Sequence, residues 1–71
     1  MSTSSDRKLV QLIREELKEA ESHVKDGLFV YCIGEAREYA RNIEDMSLRD
    51  KMIKEVRQAD RDMSQIFHAH L

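Results

Sequence analysis

Six apolar residues in a row, Leu28-Phe29-Val30-Tyr31-Cys32-Ile33, stand between Gly27 and Gly34, and the shape they take decides the architecture of the whole chain. Their β-branched and aromatic side chains suit a strand, and their length alone does not separate a strand from a buried helix. The residues beyond the run separate the two. Phe29, Cys32 or Ile33, Ala36, Ala40 and Ile43 continue one helical stripe through Gly34, and a lone strand in a chain of 71 residues would have no partner to pair with. A helix from Leu28 to about Glu44 is therefore expected. Its first half is apolar nearly all round, as a helix held between two others requires.

The segments on either side carry the same period. Val10, Ile13, Leu17, Ala20 and Val24 are spaced three, four, three and four apart, with Leu9 and Leu12 widening the stripe. This predicts a first helix running to about Asp26, with Ser5 or Asp6 as its N-cap and Lys25-Asp26-Gly27 as the closing turn. Residues 1–5 are small and polar, have nothing to bury, and are expected to form a disordered arm. Ser47 followed by Asp50 resembles a capping box, so a third helix is expected from Leu48. Met52, Val56, Ala59, Met63 and Ile66 or Phe67 form its stripe, ending in a frayed His68-Ala69-His70-Leu71. Helices of similar length joined by short turns favour antiparallel neighbours. The expected fold is all-α, a three-helix antiparallel (up-down-up) bundle occupying residues 6–71 as one domain.

A domain this small buries only about 60% of the surface its unfolded chain exposes, so it needs ideal packing, a staple or a partner subunit. One cysteine, Cys32, cannot form an internal bridge, and a reducing cytoplasmic compartment fits it best. No stretch of 18 apolar residues and no signal-peptide core is visible, so membrane insertion and export are not expected. A net charge of -2 provides no overall field for nucleic acid or anionic lipid.

No catalytic or metal-ligating constellation converges. His23, His68 and His70 are the only imidazoles, and their spacing does not offer the three or four ligands of a metal site. Glu35 and Glu38 lie three apart without the Glu-x-x-His motif of a di-iron bundle. Cys32 has no sequence-local histidine, and neither glycine belongs to a phosphate-binding pattern. Neither enzyme activity nor a bound cofactor or metal is expected.

What remains is protein interaction. The second helix carries more apolar surface than two small neighbours cover, and methionines at positions 52 and 63 can adapt to a partner. The expected function is that of a small helical adaptor or regulator, self-associating as a homodimer. Leu28, Phe29, Tyr31 and Tyr39 would lose water on association, while Glu35, Glu38, Arg37 and Arg41 set register at the rim. The alternative is a nucleic-acid-binding transcriptional regulator using Lys54, Arg57 and Arg61, which share a face of the third helix near Arg49 and Lys51. That face is diluted, with five Lys/Arg against four Asp/Glu over residues 47–71. A strand at Leu28–Ile33 would offer a ribbon for the major groove, but no polar side chain in that run faces the bases.

Overall fold

The computed structural model describes residues 4–70, and they form three helices with no strand among them. They are α1 (Ser4–Glu21), α2 (Phe29–Arg41) and α3 (Met46–Ala69). The Leu28–Ile33 run is helical from Phe29 onward, as the stripe through Gly34 predicts. Contacts between helices fix their directions. Asp6, near the start of α1, meets Glu44 after the end of α2, and Phe29 at the start of α2 meets Phe67 near the end of α3. Each successive helix therefore runs opposite to the one before it, which is the up-down-up bundle. It is elongated, 43 × 16 × 13 Å, with α2 packed on both neighbours and α1 touching α3 less extensively.

The core is drawn from the predicted stripes. Ile13, Ala20 and Val24 from the first segment pack with Phe29, Ile33, Ala36 and Ala40 of α2, and Met52, Val56 and Met63 of α3 close the other side. Ile43, in the turn after α2, is buried with them. Ala20, Ala36 and Ala40 are fully buried, and side chains of this size let helix backbones approach closely. Cys32, half-buried beside them, belongs to the same packed row.

Helix ends differ from expectation, and hydrogen bonds stand behind the turns that set them after α1 and before α3. α1 begins at Ser4, so Ser4 and Ser5 are helical and not part of a disordered arm, while residues 1–3 and Leu71 lie outside the described residues. Asp6 is not an exposed cap: it is fully buried, and its two carboxylate oxygens accept from the backbone N–H groups of Glu44 (2.9 Å) and Asp45 (3.1 Å). α1 stops at Glu21, not Asp26. The next residues turn instead, with Phe29 N–H donating to His23 C=O at 3.2 Å and Leu28 N–H donating to the Asp26 side chain at 2.9 Å. Gly27 adopts φ +81°, the left-handed region that suits glycine. α2 ends at Arg41, short of Glu44, where Asn42 donates its side-chain amide to Glu38 C=O. α3 starts at Met46, and its cap is Asp45, whose side chain accepts from Ser47 N–H and Leu48 N–H, so Ser47 is not the cap.

Candidate interaction surface

The stripe that buries α2 dictates what its opposite side shows. With Phe29, Ile33, Ala36 and Ala40 turned inward, helical spacing leaves Val30, Tyr31, Gly34 and Glu38 facing out. Tyr31 is 72% exposed, Val30 52%, and Leu28, at the entry to the helix, 48%. A side chain at Gly34 would meet nothing within 4 Å, so the middle of this face is open. Large apolar groups that remain in water on one side of a small bundle are the usual material of an interface.

One of the expected interface residues is turned away from it. Phe29 is 2% exposed and packs on Phe67, ring centroids 5.8 Å apart and tilted by 59°, so it is core and has no water left to lose. Helical geometry explains the correction: Phe29 lies four residues before Ile33 on the inward stripe. Tyr39 is half-buried against the core. Leu28 and Tyr31 are exposed, as are Glu35, Glu38, Arg37 and Arg41 around them. Val30 joins the face, and the inward stripe was the signal that could have placed it there.

The two flanks of α2 differ in charge. Toward α1, the Cys32 thiol is pushed up from its ordinary value by burial first and then by the charges of Glu16, Glu19 and Glu35. The Glu16 carboxyl is likewise raised, by burial and then by Glu35, Glu19 and Glu15. These carboxylates form one acidic flank, and beside them the thiol is held protonated and poorly nucleophilic. Toward α3, Arg37 lies 3.7 Å from Asp60, and Arg37, Arg41 and Arg57 line one groove over Ile53. Lys54, Arg57 and Arg61 are all exposed on α3, but of the three only Arg57 enters this groove. The sequence divided these arginines between two different surfaces; the register of α2 on α3 joins them.

A second concavity, about 600 Å³, lies between the end of α1 and α3. Val24, Ala59, Met63 and the half-exposed Ile66 line it, with Glu21, Lys25 and Asp62 also bordering it. Sequence reading did not find this groove, because it depends on how far α1 and α3 stand apart.

The imidazoles are scattered. His23 Nδ1 is 3.2 Å from Asp26 and its Nε2 is 3.6 Å from Glu19, both within the turn after α1. His68 packs on the Phe67 ring, and His70 Nδ1 lies 3.0 Å from Ile66 C=O. Among the described residues no group of three His, Cys, Asp or Glu is placed to hold a metal ion, and no helix is long and apolar enough to cross a membrane. Compared with family models, curated proteins and solved structures, the chain matches none.

Proposed function

We propose that this chain is a small helical protein-interaction module, an adaptor or regulator of the cytoplasm, that self-associates through the outer face of α2. The observation that carries the reading is the exposure of Tyr31, Val30 and Leu28 around the open flank of Gly34. Tyrosine at such a position contributes a large rigid surface with a polar tip, and desolvating it between two chains supplies association energy. The flanks favour a second copy as the partner. In a twofold dimer whose axis runs along α2, the acidic flank with Glu35 of one protomer faces the basic flank with Arg37 and Arg41 of the other. The half-buried, protonated Cys32 suits a reducing compartment, since it serves packing and not a bridge.

Light scattering over the micromolar range tests this. The expected result is a mass that rises from one chain toward two with concentration, and that stays at one chain in Tyr31→Asp. A single-chain mass at every concentration overturns self-association. A dimer that survives Tyr31→Asp overturns the choice of face, because Tyr31 is too exposed for the substitution to unfold the chain.

A further inference from the structure

Arg37 and Arg41, one turn apart on α2, and Arg57 of α3 line a groove of about 230 Å³ together with Ile53. Helix formation gives no reason for this gathering. Like charges four apart on a helix repel by a few tenths of a kcal/mol, and a third cation from the neighbouring helix adds to the repulsion. The concentration is local, in a chain whose net charge is -2. Two carboxylates stand near: Asp60 at 3.7 Å from Arg37 Nη2 and Glu38 at 3.8 Å from Arg41 Nη1. Both separations exceed a hydrogen bond, and every partner is more than a third exposed, so neither pair occupies its guanidinium fork. Arg57 forms no ion pair among the described residues.

We propose that this groove binds a compact phosphate-bearing anion, a phosphomonoester or pyrophosphate, through the guanidinium forks of Arg37, Arg41 and Arg57. The planar fork of arginine matches phosphate oxygens two at a time, and it stays charged at every physiological pH. Ile53 supplies an apolar wall that keeps water from one side and strengthens the field of the three cations. A concave site of this volume suits a small anion. A nucleic-acid backbone lies along a broad face instead, and the cations that would extend such a face, Lys54 and Arg61, do not line the groove.

The test is an NMR titration of the native chain with pyrophosphate, following the arginine Nε–H signals, repeated on Arg57→Gln and on Arg61→Gln as the control. Saturable shifts at Arg37, Arg41 and Arg57 are expected. Affinity should fall about tenfold or more in Arg57→Gln, the scale of one charge-assisted hydrogen-bonded contact, and stay unchanged in Arg61→Gln. The absence of saturation overturns the site, and so does an equal loss in both variants, which marks diffuse surface charge. Mixed-sequence duplex DNA that binds more tightly than pyrophosphate while shifting Arg61 also overturns it, placing the phosphates on the outer face of α3.

Discussion

Asp6 and Asp45 are joined across the bundle: the buried carboxylate of Asp6 accepts the backbone N–H of Asp45 at 3.1 Å, while Asp45 caps α3 with its own side chain. The same Asp6 carboxylate takes Glu44 N–H at 2.9 Å. One acidic residue thus satisfies two donors in a turn 38 and 39 residues away, and a second prepares the next helix from that turn.

Replacing Asp6 by alanine leaves those two amides without their acceptor at a partly buried corner. Hydrogen bonds to a charged group are worth about 1.5–3 kcal/mol each, and orphaned donors add their desolvation cost, so a loss of about 2–4 kcal/mol is expected. Asp6→Asn keeps one oxygen and should lose less. Urea unfolding measures both, and an Asp6→Ala chain within about 0.5 kcal/mol of the parent would contradict the role assigned here.

Asp45→Ala removes the cap of α3 and should cost about 1 kcal/mol, with Asp45→Asn close to neutral. Loss of amide protection at Ser47 and Leu48, the two groups that donate to the Asp45 side chain, is the local signature to look for.

The two glycines should respond in opposite directions. Gly27 has φ +81°, and a Cβ there would stand 3.3 Å from the Phe67 ring, so Gly27→Ala is strained and crowded and should destabilise by about 1 kcal/mol or more. Gly34 lies inside α2 with nothing near, so Gly34→Ala should stabilise by about 0.5–1 kcal/mol. Thermal unfolding at low protein concentration separates this effect from any change in association.

The turn after α1 has its own pH window. The hydrogen bond that the His23 ring donates to Asp26 is the chief cause raising His23 above its ordinary 6.5, with Glu19 helping and desolvation opposing. Asp26 is held below its ordinary 3.8, first by the Leu28 N–H and then by His23. A raised histidine stabilises fully below pH 6.5 and loses that stability as pH climbs through its folded value. A lowered aspartate stabilises fully above pH 3.8 and loses it as pH drops through its folded value. The turn should therefore be tightest between these limits. Titration of the His23 ring by NMR should give a midpoint above 6.5, moving back toward 6.5 in Asp26→Asn. An unshifted midpoint in the parent chain would remove the interaction.

Cys32 should react slowly with a thiol-alkylating reagent at neutral pH, because burial and then Glu16, Glu19 and Glu35 hold its thiol protonated. Glu16→Gln should speed the reaction. A Cys32 that alkylates as fast as a free thiol would show that the acidic flank does not act on it.

The stripes were legible because burial imposes a period on the sequence: Ile13, Ala20, Ile33, Ala36, Val56 and Met63 recur at helical spacing and all are core. Phe29 was legible in the same way, and treating it as an interface residue gave its size more weight than its place on the stripe. Helix ends were less legible. They are set by single hydrogen bonds, from Leu28 N–H to Asp26 and from Leu48 N–H to Asp45, and an aspartate that caps looks the same in sequence as one that is solvated. The role of Asp6 could not be read at all, since the amides of Glu44 and Asp45 that it holds lie in the turn between α2 and α3 and leave no periodic trace. The groove of Arg37, Arg41 and Arg57 depends likewise on the register between α2 and α3, which composition and spacing do not fix.

The first turn of a helix usually frays at little cost, independently of the rest of a protein. Here that freedom is gone. Because Asp6 sits in the first turn of α1 and holds the corner from which α3 departs, peeling back that turn also loosens the corner whose Asp45 caps the longest rod. Three segment ends at one pole of the bundle should open and close together, so a probe in the first turn of α1 reports on order at Met46–Arg49.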